Sequence, residues 1–143
     1  MTREPIYAAL FARLSAAAAF QTASRRLKHW TDTPGGEQPA LFMAQRRETV
    51  MPATPVPGLP PKYLLEVDVY VYAKARSNAA PGPILNPLLD AIDAAMAGTP
   101  ATGGKNTLGG LCEHAWVEGV IDTDEGTLGD QAVAVVPIRI LTT

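Results

Sequence analysis

A regular alternation of apolar and polar side chains occupies residues 63–73, in the middle of the chain. The apolar set is Tyr63, Leu65, Val67, Val69 and Val71, and the other set is Leu64, Glu66, Asp68, Tyr70, Tyr72 and Lys74. Successive side chains of a strand point to opposite faces, so the segment predicts a strand with one buried face and one half-wetted face. This pattern is typical of an antiparallel sheet that is covered on one face.

Two segments have the spacing of helices. Residues 5–20 place Ile6, Leu10 and Leu14 on one face, and only Arg13 and Ser15 interrupt the apolar run. A helix that is apolar almost all round needs cover on more than one side, and another subunit can supply the second cover. Residues 84–97 predict a second helix that begins at residue 85 or 86, because a proline at position 87 fits only a first turn, and that is capped by a glycine at position 98.

Four further segments predict strands: residues 24–30, 39–46, 111–121 and 131–141. The last two are joined by the turn-rich residues 122–130 into a hairpin. Pro137 lacks a backbone donor, so the last strand is expected to be an edge strand or to carry a bulge there. The sum is a single α+β domain over residues 1–143, with a mostly antiparallel sheet of four to five strands and two helices packed on one face.

A proline-rich segment separates the second and third predicted strands. Residues 48–61 contain five prolines and one glycine, which predicts a long exposed loop of polyproline-like character. A compact domain rarely carries such a loop without using it, so we expect contacts with neighbouring chains, with Pro55 and Pro57 as interface candidates.

Composition limits the class of protein. The chain has 143 residues, of which 47% are hydrophobic and 18% are charged, as in folded globular proteins. A formal net charge of −2 provides no general attraction for nucleic acid. The first ten residues do not resemble a secretion signal, and the single cysteine, Cys112, allows no internal disulfide, so we expect a protein made in the cytoplasm.

The glycine-rich residues 103–110 do not match a phosphate-binding loop. The glycine that this motif requires five positions before Gly104 is replaced by Thr99, and Lys105 is followed by Asn106 rather than by Ser or Thr. The segment also follows a predicted helix instead of a strand. A loop without nucleotide is the better interpretation.

The metal-binding patterns are also incomplete. On the predicted strand, alternation puts residues 112, 114, 116 and 118 on one side, but a closed zinc site needs four ligands and the only other histidine is His29. A buried Cys112 beside a hydrogen-bonded His114 is favoured. Residues 122–130 contain four carboxylates at offsets that do not fit a calcium loop, so they are interpreted as an acidic hairpin tip. We predict no cofactor and no metal.

Two remaining charge patterns have both a functional and a simpler interpretation. Glu66 and Asp68 could act as an acid–base pair, but a solvated strand face is favoured because nothing in the sequence buries them. Arg25, Arg26 and Lys28 could contact a nucleic acid or an acidic partner, and again a solvated face is favoured. No nucleophile motif occurs, so no enzyme is predicted.

Several segments together resemble small tail proteins of long-tailed bacteriophages and prophages, of the tail-terminator type. They are the alanine-rich first helix, TASRRLKHW (22–30), LPPKY (59–63), NPLLD (86–90), TLGGL (107–111) and DEGTLGDQ (124–131). The resemblance extends over nearly the whole chain and rests on the order of segments. It implies a subunit of a homohexameric ring that caps the tail-tube protein, meets the head–tail connector protein and lies in the virion tail, with DNA only passing through the lumen.

The interface candidates are Ala12, Ala16, Phe20, Pro55, Pro57, Asp124 and Glu125. An acidic lumen would repel passing DNA, and its candidates are Glu66, Asp68, Asp122, Asp124, Glu125 and Asp130. Two alternatives stay open: a head-completion or connector subunit, and a small homodimeric α+β domain that binds a ligand or catalyses a reaction.

Overall fold

The alternating segment becomes the central strand of a six-stranded sheet that carries the helices on one face. The computed structural model describes residues 1–52, 58–76 and 78–143. The helices and strands are α1 (Arg3–Ser15), β1 (Thr22–Ser24), β2 (Ala40–Met51), β3 (Lys62–Lys74), α2 (Gly82–Ala95), β4 (His114–Val117), β5 (Asp122–Glu125) and β6 (Gln131–Leu141). Short 3-10 turns lie at Trp30–Asp32, Gly35–Glu37 and Pro100–Thr102.

The strand order in the sheet is β1-β2-β3-β6-β4, with β5 also paired to β6. β3 runs antiparallel to β2 on one side and to β6 on the other. β4 and β5 are antiparallel to β6, whereas β1 is parallel to β2. The predicted α+β class is therefore confirmed, although the sheet is mixed and larger than expected.

The two faces of β3 differ as the alternation predicts. Leu65, Val67, Val69 and Val71 are at most 1% exposed. They belong to the main core, together with buried residues of both helices, of the C-cap of α2 and of β6: Ile6, Tyr7, Leu10, Leu14, Leu85, Leu88, Ile92, Met96, Ala134, Val136, Ile138 and Ile140. The main core therefore lies between the sheet and the helices, and within the described residues neither α1 nor α2 lies on the opposite face.

Helix α1 is shorter than predicted, because it ends at Ser15 and not at residue 20. Beyond it, the N–H of Ala17 bonds the Leu14 carbonyl and the N–H of Phe20 bonds the Ala18 carbonyl, which is a turn and not a helix. The alanine run contains neither a glycine nor a proline to mark this end, so the sequence pattern extended the helix too far.

Helix α2 begins at Gly82, so the predicted start at residue 85 or 86 is wrong and Pro87 lies inside the helix. A proline at this position removes the N–H that would bond the carbonyl four residues earlier, at Pro83. Pro83 is exposed, so water can bond its carbonyl instead. Leu85 and Ile92 of this helix are buried in the core.

Gly98 does not cap α2, whose C-cap is Met96. Instead, a Cβ at position 98 would clash with the carbonyl group of Gly104. Two glycine backbones therefore approach closely here and fold the following loop back toward the end of α2.

The predicted proline-rich loop at residues 48–61 is shorter than expected at its start. Strand β2 continues to Met51, and its last residues pair with β3, with Thr49 opposite Leu64 and Val50 opposite Tyr63. Backbone pairing with β3 outweighs the weak strand signal of this polar segment. Residues 53–57, including Pro55 and Pro57, lie outside the described residues.

The C-terminal hairpin also differs from prediction. β6 covers residues 131–141 as expected. Of the strand predicted at residues 111–121, only β4 is present. The residues expected to form an acidic tip begin with strand β5. At Pro137 the outer side of β6 has no paired strand, so the expected edge position is confirmed at that point. Its outer neighbours are interrupted there, between β4 and β5, where the Glu118 N–H donates to the Pro137 carbonyl at 3.3 Å. The proline therefore occupies the gap between two short strands.

The short strand predicted at residues 24–30 is wrong, because β1 ends at Ser24. The chain then reaches the helix-free face, where the Tyr72 hydroxyl donates to the Lys28 carbonyl at 2.6 Å. Trp30 follows and packs on a second, smaller core of Ala40, Phe42 and Tyr72. This aromatic cluster covers one part of the helix-free face.

We expect Gly98→Ala to lower the free energy of unfolding by about 1–3 kcal/mol, because the new methyl group must displace the Gly104 backbone. Urea unfolding followed by tryptophan fluorescence measures this change. Gly36→Ala is the matched control, because no atom lies within 4 Å of a Cβ there. Equal effects of the two substitutions would contradict the close approach.

Candidate functional site

A groove lined mainly by alanine side chains lies between the two helices. Its volume is about 990 Å³, and its lining residues are Ala9, Ala12, Arg13, Ala16, Ala17, Ala91, Ala94, Ala95, Leu108 and Gly109. The interface candidates Ala12 and Ala16 are exposed and line this groove. Phe20 is half-buried against the main core and does not line it.

The groove owes its shape to small side chains on both helices. Alanines on the facing sides of α1 and α2 leave room between the helix backbones, while larger residues such as Leu14 and Ile92 turn inward to the main core. Arg13 spans the gap, since its guanidinium donates to the Ala95 carbonyl at 2.9 Å. A cation at the end of a helix is favourable because the last carbonyls carry partial negative charge. The groove therefore offers an apolar floor with one guanidinium.

The helix-free face carries a second, polar cavity of about 400 Å³. It is lined by Arg46, Glu66, Asp68, Glu118, Gly119, Val120, Asp122, Val135, Pro137 and Arg139. Glu66 lies between two guanidinium groups, 3.5 Å from that of Arg47 and 3.7 Å from that of Arg139. Asp68 is 3.9 Å from Arg46. The carboxylates of β3 therefore face arginines of both neighbouring strands.

Glu66 and Asp68 were predicted to lie on a solvated strand face, and the structure corrects this. Their side chains are only 13% and 21% exposed, because the arginines of β2 and β6 cover them. A sheet brings such partners together across strands, and opposite-charge pairs on one face stabilise it by about 0.2–1 kcal/mol each. The arrangement compensates charge: Arg139 pairs with both Glu66 and Glu118, and Glu118 and Asp122 line the same cavity as Glu66 and Asp68.

Sequence reasoning did not single out Arg139 or Glu118 in this cluster. Their side chains form a 2.5 Å ion pair at the interrupted edge of the sheet. Alternation along β6 contains a signal for Arg139, because residues 132, 134, 136, 138 and 140 are buried and Arg139 must face the other way. Only the structure gives the register of β6 against β3, which places Arg139 opposite Glu66.

The acidic residues of β5 do not form a hairpin tip. Asp122 and Asp124 lie opposite Val135 and Val133 of β6, so they face the helix-free side of the sheet. Glu125 points to the other side, where its carboxylate would clash with a Cβ at Gly82, the first residue of α2. A carboxylate near a helix start is favourable, so the interface candidate Glu125 already has an internal role. Asp124 remains a candidate.

The basic residues after β1 are also divided between two environments. Arg25 contacts the helix face, where it forms an ion pair with Glu4 and donates to the Gln45 side chain at 3.2 Å. Arg26 and Lys28 are exposed and form no ion pair within the described residues. The exposure of Arg26 and Lys28 agrees with the solvated face predicted for them, although this segment is not a strand.

Cys112 and His114 do not share a strand side, since Cys112 precedes β4. Cys112 is 2% exposed and belongs to the main core, whereas the His114 ring stacks on Trp116 with centroids 5.0 Å apart. The Nδ1 atom of His114 accepts from the Asn106 N–H at 3.1 Å. The predicted buried thiol and hydrogen-bonded histidine are both present. Burial raises the pKa of the Cys112 thiol to about 11.

The glycine-rich loop uses its backbone donors internally. The N–H of Leu108 donates to the Asn106 side chain, and the N–H groups of Leu111 and Cys112 donate to the Thr107 carbonyl. A phosphate-binding loop instead aims several free N–H groups at its ligand. These N–H groups are therefore occupied by bonds within the loop.

Comparisons with known proteins assign no family to the chain: no protein-family model and no curated protein matches it. Within residues 1–52, 58–76 and 78–143, no group of three metal-ligating side chains could hold a metal ion. In the same described part of the chain, neither helix has the length and apolar character needed to cross a membrane.

We expect Cys112 to react slowly with iodoacetamide at pH 8. The reactive form is the thiolate, and the rise of its pKa from 9.0 to about 11 lowers the thiolate population roughly 100-fold. Burial slows the reaction further. The rate, followed by mass spectrometry, should rise to that of a free thiol when the protein is unfolded in urea. Equal rates in the folded and unfolded protein would show that the thiol is accessible.

Proposed function

We propose that this chain is a structural virion protein, the subunit of a hexameric ring that ends the tail tube of a long-tailed bacteriophage and joins it to the head connector. In this proposal the chain is not an enzyme. The observation that carries it is the alanine-lined groove between α1 and α2, which contains Ala12 and Ala16. The segmental resemblance to tail terminators supplies the identity of the assembly.

The groove fits a protein segment better than a small ligand. Ligand pockets combine apolar walls with a few convergent polar groups. Here the walls are small and apolar, and the guanidinium of Arg13 is already bonded to the Ala95 carbonyl. Alanine walls allow the backbone of another chain to approach closely while contributing apolar contact. A neighbouring subunit therefore supplies the cover that the first helix was predicted to need.

The proposed ring conducts DNA through its centre, so its lumen is expected to repel phosphates. Glu66 and Asp68 are poor candidates for this lining because arginines neutralise them. Asp122 and Asp124 form no ion pair in the described residues and lie on the helix-free face. These two carboxylates are the better candidates, and their repulsion would extend over about 8 Å at physiological salt.

The proposed location is the virion tail, after assembly in the cytoplasm of the bacterial host. The proposed partners are other copies of this chain, the tail-tube protein and the head–tail connector protein. A head-completion subunit of the connector would have the same kind of interfaces, so tube binding separates the two roles.

Purified protein is expected to form hexamers in mass photometry. Ala12→Glu or Ala16→Glu should lower the population of this oligomer at least tenfold, because each change buries a charge in an apolar groove. Ala8→Glu is the matched control, since Ala8 is exposed on the same helix but does not line the groove. Assembly unaffected by both groove variants would place the interface elsewhere, and a dimeric wild-type protein would favour the homodimeric alternative.

The purified chain is expected to shorten tail tubes when it is added to the polymerising tube protein of its own virus, because a terminator blocks further addition. Tube length by electron microscopy measures the effect, and bound rings should appear at one end. Unchanged tube length together with binding to isolated connectors would favour the head-completion role. The Ala8→Glu protein should shorten tubes as the wild type does.

A further inference from the structure

The four residues that lead into β3 are exposed and uncharged. We name residues 58–61, with the sequence Gly-Leu-Pro-Pro, the linker segment. All four residues are exposed, with Leu59 at 52%, and in the described chain none of them forms a backbone hydrogen bond. An exposed apolar segment of this kind is a candidate for contact with another chain.

The two prolines give the linker segment an uneven set of hydrogen-bonding groups. Proline has a carbonyl acceptor but no N–H donor. A donor that enters an apolar groove without finding an acceptor loses its bonds to water, which opposes binding. Pro60 and Pro61 bring no such donor, and their fixed φ reduces the entropy that the segment loses when it becomes ordered. The linker segment is therefore suited to a surface that has few free acceptors.

The alanine-lined groove between α1 and α2 is a surface of this kind. The helices bond most of their carbonyls internally, and the Ala95 carbonyl at the end of α2 accepts from Arg13. The guanidinium of Arg13 has further N–H donors, because within the described residues it bonds only that carbonyl and forms no ion pair. The groove thus offers a cationic donor and few acceptors, whereas the linker segment offers acceptors and few donors.

Other exposed apolar side chains fit the groove less well. Leu27 lies between two basic residues, and Val120 lines the polar cavity together with carboxylates. Docking either of them against alanine walls would remove charged neighbours from water. Leu59 has no charged residue within two positions on either side, so its burial in the groove desolvates no adjacent charge.

The linker segment and the groove lie on different parts of one subunit. The segment ends where β3 begins, beside the first turn of α1, since the Arg3 guanidinium lies 5.3 Å from the centroid of the Tyr63 ring. The groove starts at Ala9 and continues beyond the end of α1. At about 1.5 Å per residue, Ala12 is roughly 14 Å from Arg3 along the helix. Among the described residues that line the groove, none belongs to the linker segment of the same subunit.

We propose that the linker segment of one subunit docks into the alanine-lined groove of the next, with Leu59 against the alanine walls and a proline carbonyl accepting from Arg13. A second copy is the occupant, because it brings hydrogen-bonding groups that complement those of the groove. The two surfaces lie at different places on each copy, so the contact is head to tail and forms a ring when its rotation closes. The inference rests on the proposed ring and specifies which parts of neighbouring subunits meet.

Cysteine cross-linking tests the contact. Leu59→Cys and Ala12→Cys are made as separate variants and expressed together, while the native Cys112 is 2% exposed and does not compete. Mild oxidation should give about tenfold more linked dimer from the two variants together than from either alone, because a disulfide needs its two Cβ atoms within about 4.5 Å. A chain with both changes should give a ladder of linked subunits that reaches six. Ala8→Cys replaces Ala12→Cys in the matched control, since Ala8 is exposed on α1 but does not line the groove.

Replacing the prolines tests the hydrogen-bonding argument. The variant P60A/P61A adds two N–H donors to the linker segment, which should raise the dissociation constant of the assembly by about tenfold or more. Circular dichroism should show an unchanged fold, because the segment is exposed. Pro34→Ala is the matched control, at an exposed proline outside the segment, and should assemble as the wild type does.

The outcomes separate this inference from the proposed function. Wild-type rings whose cysteine variants link no more than the Ala8→Cys control overturn the inference and leave the ring standing with another contact. Assembly of P60A/P61A at the wild-type dissociation constant also overturns it. A ladder that stops at two subunits supports the docking contact and contradicts the ring. A monomeric wild type without cross-links counts against both.

Discussion

The pairing of β3 with two long antiparallel neighbours is the constraint on which the other features depend. β2 and β6 accompany β3 along almost its whole length, so their side chains inherit its division into two faces. A shift by one residue in either pair would move every apolar side chain to the wrong face. Burial of the valine series of β3 under the helices therefore fixes the register of β6, which places Arg139 opposite Glu66. On the other side, an irregularity of β2 between Gln45 and Arg47 shifts the register by one residue and places Arg47 opposite Glu66.

The same register gives the two faces of the sheet different contacts. On the helix face, Leu65 to Val71 and their neighbours form one apolar core beneath α1 and α2. On the other face, an aromatic cluster around Phe42 and Tyr72 gives way to ion pairs that hold the carboxylates of β3 at low exposure. Ion pairs with partly exposed arginines add little net stability, so they serve mainly to neutralise the carboxylates of β3 on this face.

The chain leaves two kinds of surface for other molecules: an alanine-lined groove on the helix side and a polar cavity on the helix-free face. The alanine side chains between α1 and α2 fill little space, which leaves the groove open. A subunit that works by contact with copies of itself needs surfaces of this kind more than it needs an enclosed pocket, which is why a ring protein is the proposal that fits them together.

The sequence determined the α+β class, both helices, the strands at residues 63–73 and 131–141, and the buried Cys112, because these rest on local periodicity and burial preference. It also pointed to Ala12 and Ala16 as exposed positions. Only the tertiary structure decided that residues 48–51 extend β2, that Asp122 and Asp124 lie on a strand, and that Glu66 is neutralised by Arg139. These outcomes depend on pairing between strands far apart in the chain, and pairing energy outweighs local propensity where the local signal is weak.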